Sequence, residues 1–247
     1  MLDEARKFWD RAADDWKIQV GSQGDRNRYL CSDPVLWAFA GDVAGKKVLD
    51  AGSGTGYLSA QLAEQGAHVT GVDFSENMVA IARRDFPGIE FRVDSCTELI
   101  TCRDGEFDLL VSNYVLMDVP DLEGTVRAFH RVLKPGGAAV LIFSHPCFPA
   151  GAASVSRDSI RYHWHHNYFE RRKRVDPPWK HFTTEFIWFH RPLSDYWKSF
   201  TTAGFAVTGF EEPRLTEDRA HLATNEKERR SHQKRPYSVA FRLRKPE

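Results

Sequence analysis

Apolar and polar positions alternate along most of the chain in short blocks that switch between two periods. KKVLDAG (46–52) is an apolar run that ends in glycine, and GYLSAQLAEQG (56–66) has the spacing of a helix stopped by Gly66. AHVTGVD (67–73) is again strand-like. Ser75 then stands as an N-cap for ENMVAIARRDF, because its hydroxyl can accept from an orphan backbone N–H. GIEFRVD (88–94) and EFDLLVSN (106–113) are two further strands, each ending in a polar residue. In DLEGTVRAFHRVLKPGG, Val126, Phe129, Val132 and Leu133 fall at helical spacing, and Pro135-Gly136-Gly137 is expected to end that helix before a fifth strand, AAVLIFSH (138–145). Short buried strands alternating with helices imply right-handed βαβ units and a parallel sheet, so the fold class is α/β, doubly wound.

Either side of this rhythm the pattern changes. Upstream, Asp33-Pro34 reads as an N-cap followed by a first-turn proline, starting a short helix over VLWAFAG. Downstream, 145–193 holds Pro146, Pro149, Pro177, Pro178 and Pro192 among many His, Trp and Arg residues. ERRKRVDPPW and TTEFIWFHRPL read as two strands of a hairpin, and LSDYWKSFTTAG as a closing helix. FAVTGFEEP and PYSVAFRLRK are two last strands, and the charged stretch 214–235 between them is expected to be a mobile loop. There are no internal repeats. The organisation expected is one domain over 1–247: a helical cap (1–45), a cofactor-binding core (46–145), a lid insertion (146–193), and a closing helix with two strands (194–247).

Composition narrows the class. The 247 residues are 42% hydrophobic and 13% aromatic, which supports a core and excludes a disordered or collagen-like chain. No apolar run reaches the ~18 residues of a membrane span, and the charged start MLDEARKFWDRAADDWK lacks the apolar stretch of a secretory signal. Cys31, Cys96, Cys102 and Cys147 form no CxxC pair, so neither a disulfide framework nor a zinc site is expected. Lys+Arg and Asp+Glu are both 34, and this neutral balance removes the simplest argument for a nucleic-acid partner. A cytoplasmic, reducing-compartment protein without a metal is the expectation.

The chemistry concentrates in VLDAGSGTG (48–56). Gly52, Gly54 and Gly56 let backbone approach a ligand, and Asp73 closes the next strand where it can accept from ribose hydroxyls. A dinucleotide fingerprint is G-x-G-x-x-G; here the spacing is G-x-G-x-G with Asp50 just before it. A carboxylate there repels a pyrophosphate but suits a ligand carrying an ammonium group, which favours a cationic adenosyl cofactor over a nicotinamide one.

On these residues the chain resembles a class I S-adenosylmethionine-dependent methyltransferase, well over 46–145 and more loosely in its flanks. DAGSGTG resembles the first motif, GVDFSENMVAIAR the acidic second, RVDS the adenine segment and FDLLVSNYVLMDVPD the fourth. The resemblance implies a Rossmann-like, seven-stranded, mostly parallel sheet with the last strand antiparallel. It implies Asp50, Ala51 and the 52–56 loop near the methionine moiety of S-adenosylmethionine, and Asp73 on the ribose. Phe74 and Met78 would flank the adenine, Asp94 or Ser95 would reach its amino group, and Asn113 with Tyr114 would lie beside the sulfonium. GDRNRYL (24–30) resembles a segment that closes over the cofactor. There Arg28 either pairs with the methionine carboxylate or stays at the surface, and Tyr29 either faces the sulfonium or packs.

His145, at the tip of the fifth strand, is the candidate general base, the alternative being a His that orders the Pro146 turn. Asp118 either holds an acceptor or caps the helix that follows. Tyr162, Trp164, His166 and Tyr168, from the aromatic run in the insertion, are candidate contacts to a flat acceptor. DPPW (176–179) matches a tetrapeptide of nucleic-acid amino-methylating enzymes but falls after the fifth strand, outside the fourth-motif slot. The activity implied is methyl transfer to O or N of a small, quinone-like or secondary-metabolite acceptor, with S-adenosylhomocysteine as product. The alternatives are an RNA methyltransferase using the basic run 171–174, or a protein that binds the cofactor without catalysis.

Overall fold

The computed structural model describes residues 1–21, 24–148, 153–156, 159–163 and 166–247. The five core strands form as the apolar runs require: β1 (Lys47–Ala51), β2 (His68–Asp73), β3 (Glu90–Val93), β4 (Phe107–Asn113) and β5 (Leu133–Ser144). Together with β10 (Ala206–Glu211) and β11 (Ser238–Arg244) they make one seven-stranded sheet, ordered β3-β2-β1-β4-β5-β11-β10. The first five pair in parallel, and β11 runs antiparallel to both β5 and β10. Successive side chains leave a strand on opposite faces. Leu49, Leu110, Leu141 and Phe143 therefore join one core, with Phe129 of α5 (Leu122–Val132) and Phe200 of α6 (Leu193–Thr202). Val48, Leu109, Val111 and Val140 join the other, with Leu36 of α2 (Asp33–Ala40) and Leu62 of α3 (Tyr57–Glu64). Strand order reverses between β1 and β4, the place where such a sheet opens a crevice at its carboxyl edge.

Three expectations change. Helix α5 ends at Val132, and Pro135-Gly136-Gly137 lies inside β5, which starts at Leu133. The register slips between Phe107 and Leu109 to absorb those residues, while Gly136 takes φ +74° and donates its N–H to the Lys245 carbonyl at 3.0 Å. Asp33 is not an N-cap. It continues a π-helical turn over Arg28–Ser32, and the carboxylate that caps this segment is Asp25, accepting from the Arg28 N–H at 3.0 Å. A proline in a continuous helix has no N–H for the turn before it, and the wider π turn absorbs that mismatch.

The 214–235 stretch is helical rather than a mobile loop, with a 3₁₀ turn at Glu217–Leu222 and α7 at Glu226–Lys234. Asn225 caps α7, and Glu226 pairs with Arg229 at 2.8 Å and Arg230 at 2.6 Å. A helix held by such pairs has no apolar stripe, which is why periodicity overlooks it. The Glu228 carboxylate in turn holds Arg26 at 2.6 Å, anchoring the chain just before the π turn.

The insertion forms β6 (Ala153–Val155) with β7 (Ile160–Tyr162), then β8 (Arg172–Asp176) with β9 (Phe186–His190), both pairs antiparallel. The second hairpin braces the N-terminal helix α1 (Leu2–Val20). Lys173 pairs with Glu4, Phe186 meets the Phe8 ring at 5.5 Å, and the Thr183 N–H and hydroxyl both donate to Asp15 at 2.9 Å. Among the described residues no helix is long and apolar enough to cross a membrane.

Candidate functional site

A cleft open to solvent lies over the carboxyl ends of β1, β2 and β4. Its floor is the glycine loop. Gly52 takes φ +82°, and a Cβ built there would sit 2.3 Å from a Val115 methyl, so only hydrogen fits. The Gly54 N–H donates to Asp73 Oδ2 at 2.9 Å, and the Ser75 N–H donates to Oδ1 at 2.9 Å, so one carboxylate ties the β1 and β2 loops together. Burial pushes the Asp73 carboxyl up to about 6, against those hydrogen bonds. Ser75 accepts from the Met78 N–H at 3.1 Å and donates to Asp10 of α1 at 2.7 Å, which docks α1 on the start of α4 (Glu76–Asp85). Phe74, Met78 and Ser95 line the cleft beyond Asp73.

The opposite wall comes from the end of β4. Tyr114 takes φ +60°, rare for a residue with a side chain, and this turns Asn113, Tyr114 and Val115 into the cleft. Asn113 Nδ2 donates to the Tyr57 hydroxyl at 3.3 Å, while its buried Oδ1 has no hydrogen-bond partner. Burial pushes the Tyr114 phenol up to about 12, and Asn27 donates to its oxygen. Arg28 is 4% exposed, with the rings of Trp16, Tyr57 and Tyr114 lying 5.1–5.4 Å from its guanidinium carbon. It reaches the Asn113 carbonyl at 3.4 Å, its Nε is unsatisfied, and among the described residues no carboxylate pairs with it.

Not every candidate from the sequence comes to the cleft. Tyr29 packs with Leu30, Cys31 and Leu215 outside it, its ring 5.9 Å from the Arg219 guanidinium. The rings about Arg28 are instead Trp16, Tyr57 and Tyr114. Asp50 and Ala51 lie beneath the loop, Asp50 accepting from the Ser59 hydroxyl at 2.6 Å and the Ala51 carbonyl from Ser112 at 3.0 Å. Gly56 starts α3 at φ +86° and makes room for the Phe91 ring, a packing role. Both Asp94 oxygens serve their own loop: Oδ1 accepts from Ser95 at 2.8 Å, and Oδ2 from the Thr101 N–H and hydroxyl at 2.7 Å, leaving Ser95 on the cleft. Asp118 lines the cleft, and it is Asp121 that caps α5, accepting from Gly124 at 2.8 Å. Sequence reasoning missed Trp9 and Leu2, which α1 brings over the cleft, and Val115.

Burial without a paired cation pushes the Asp50 carboxyl up to about 6, with the Ser59 hydrogen bond opposing. An acid whose folded value is raised disfavours folding when ionised, and this is relieved as pH falls from about 6 toward the usual carboxylate range. Asp50→Asn is therefore expected to be the more stable protein at pH 8, by about 1–3 kcal/mol, and to lose that lead by pH 4. Denaturant melts across pH check this; a pH-independent difference would refute it.

His145 corrects the expectation of a general base. Its Nδ1 accepts from the Cys147 N–H at 3.1 Å, so Nε2 carries the proton and donates to Glu212 at 2.8 Å. Burial holds its pKa below the ordinary value despite Glu212, and the ring, 2% exposed, is not among the cleft's lining residues. The imidazole orders the turn after β5. His145→Gln is expected to lower stability by about 1–3 kcal/mol while leaving ligand affinity within about twofold, measured by chemical denaturation and calorimetry.

The aromatic residues of the insertion also lie apart from the cleft. Tyr168 accepts from the Leu193 N–H at 2.8 Å and contacts Cys147 Sγ at 3.0 Å, His166 meets His190 at 5.3 Å, and Tyr162 meets Phe148 at 5.1 Å. They knit the base of the insertion to β5 and α6, and Trp164 lies outside the described residues. Of the basic run 171–174, Arg171 pairs with Asp195 and Glu123, Lys173 with Glu4, and Arg174 with Asp176. Asp176, the acid of DPPW, also accepts from the Trp188 indole at 2.7 Å, which makes that tetrapeptide part of the hairpin. Among the described residues no cluster of His, Cys, Asp or Glu could hold a metal ion.

The strand order, the glycine loop and the acid closing β2 are those of the class I S-adenosylmethionine-dependent methyltransferases. Residues 49–141 match the family described as a methyltransferase domain. The chain is 41% identical over 107 residues to a demethylmenaquinone methyltransferase of Chlorobaculum tepidum, covering 43% of each protein. It is 39% identical over 103 residues to a ubiquinone biosynthesis O-methyltransferase of Pseudomonas aeruginosa, covering 40% of this chain and 44% of that one. The matches thus span less than half the length of these curated relatives. Among solved structures, an S-adenosylmethionine-dependent methyltransferase from Mesorhizobium loti superimposes with a TM-score of 0.76 at 26% identity, over 91% of this chain and all of that one.

Proposed function

We propose that this protein transfers a methyl group from S-adenosylmethionine to an oxygen or nitrogen of a small organic molecule of quinone-like or related aromatic type. The observation that carries the reading is Arg28: a buried guanidinium on the cleft with no carboxylate partner among the described residues, next to an unsatisfied Asn113 Oδ1. A buried cation is stable when an anion completes it, and the carboxylate of the cofactor's methionine end meets that need. The residues present fit the rest of the cofactor. Asp73 would hold the ribose, Phe74 and Met78 the faces of the adenine, Ser95 its edge, and Asn113 with Tyr114 the region of the sulfur. The named relatives that act on quinone precursors support an aromatic acceptor.

When bound, the cofactor supplies an electrophilic methyl on a positively charged sulfur. What this chain contributes is alignment and exclusion of water. The Gly52–Val115 contact and the left-handed Tyr114 fix the wall on which an acceptor must lie. Helix α1, braced by the β8–β9 hairpin, covers the cleft with Trp9 and Leu2. Calorimetric titration with S-adenosylmethionine, S-adenosylhomocysteine and NAD in parallel tests the reading. Saturable binding of both adenosyl ligands without NAD is expected, followed by label transfer to an aromatic acceptor. Binding of NAD alone would overturn it.

A further inference from the structure

We propose that Asp118 accepts the proton of a phenolic acceptor in the cleft, and that Arg191 is the positioning residue that holds it there. The inference rests on reading the cleft as a methyltransferase site.

Among the described residues two carboxylates line the cleft, Asp73 and Asp118. The Asp73 oxygens accept backbone N–H groups from Gly54 and Ser75. Asp118 accepts no side-chain or backbone donor among the described residues, although it lies well inside the site. His145 cannot serve, because both its nitrogens are engaged outside the cleft. Tyr114, its phenol pushed up to about 12, is not ionised at neutral pH.

The loop that carries Asp118 is held from the insertion. Arg191, 5% exposed and one residue beyond β9, donates to the carbonyls of Leu116 at 3.4 Å, Val119 at 2.6 Å and Pro120 at 2.9 Å. The Phe189 N–H adds a bond to the Met117 carbonyl at 2.7 Å. Carbonyls on both sides of Asp118 are thereby pinned, so its carboxylate is aimed by a rigid frame and not by a hydrogen bond of its own.

Burial raises the Asp118 carboxyl well above the usual range; of the groups facing it, Asp73 acts in the same direction while Arg28 and Arg191 oppose. Tyr196, fully buried, lies within electrostatic reach of both Arg191 and Asp118. A carboxylate of raised pKa is a stronger base toward a weak acid such as a phenol. Trp9, Phe74 and Tyr114 offer rings to an aromatic acceptor. In the transfer, the phenolic oxygen bonds the methyl carbon as the carbon–sulfur bond breaks and its electron pair neutralises the sulfur. The O–H proton passes to Asp118.

The test needs no knowledge of the natural acceptor. 4-Nitrocatechol, whose visible band reports its ionisation, is titrated into protein saturated with S-adenosylhomocysteine, at a pH below the probe's own ionisation. Wild type is expected to bind it saturably with the band of the ionised form. Asp118→Asn is expected to keep S-adenosylhomocysteine affinity within about twofold, to weaken probe binding at least about tenfold, and to lose the band. Arg191→Gln should move in the same direction, and Arg191→Lys should restore part of the band, which a loss of folding would not produce. An ionised band of wild-type strength in Asp118→Asn, or no probe ionisation by S-adenosylhomocysteine-saturated wild type, overturns the proposal. Failure of S-adenosylhomocysteine to bind wild type would instead refute the cofactor reading beneath it.

Discussion

Arg28→Met is expected to lower affinity for S-adenosylhomocysteine by about 30–1000-fold while leaving the stability of the ligand-free protein within about 1 kcal/mol of the parent. The first effect follows from removing one half of a buried charge pair, which costs about 2–4 kcal/mol. The second follows from the ligand-free state, where the guanidinium is buried among the rings of Trp16, Tyr57 and Tyr114 without an ion-paired carboxylate among the described residues. Methionine gives up the cation–π contacts but also removes a desolvated charge, and these changes oppose one another. Arg28→Lys should recover only part of the affinity, since an ammonium cannot form the two parallel bonds of a guanidinium to a carboxylate. Calorimetry with thermal unfolding separates the two readouts. Unchanged ligand affinity in Arg28→Met would remove the main support for the cofactor assignment.

Gly52→Ala should lower stability by about 2–5 kcal/mol. Its φ of +82° disfavours any L side chain by about 1–2 kcal/mol. The added methyl would also sit 2.3 Å from a Val115 side-chain carbon in a packed wall, an overpacking worth about 1–3 kcal/mol. For a chain of this size that is a fall of about 5–15 °C in melting temperature. Val115→Ala in the same protein should return the steric part and leave the backbone part, about half the loss. A melting temperature within about 2 °C of wild type for the single variant would show that this wall is loose.

Much of the core was legible because its signals are local. The alternation of Val48 with Leu49 and of Val140 with Leu141 states which side chains face each layer, and the glycines at 52, 54 and 56 announce a turn that only positive φ can make. Ser75 as an N-cap and Asp73 at a strand end are likewise properties of a few neighbouring residues. The acceptor side was not legible in the same way. His145 sits at a strand tip where substrate groups collect, yet Glu212 and the Cys147 N–H, one distant and one local, take both nitrogens. Tyr29 and Arg28 are adjacent, and a π turn sends them to different surroundings. In α7, Asn225 and the Glu226–Arg230 pair were visible signs of a helix, but with no apolar stripe they were outweighed by charge.

What the sequence alone determined is the layered sheet and the cofactor loop, because period, capping and glycine placement act within a few residues. What only the tertiary structure decided is which charged groups are left without partners. From the chain alone, Arg28 pairs with the methionine carboxylate or stays at the surface, and Asp118 holds an acceptor or caps a helix. Distant segments bring both to one cleft, where among the described residues Arg28 forms no ion pair and Asp118 accepts no hydrogen bond. The energy of a buried charge depends on everything packed around it, and that is set by contacts far apart in sequence.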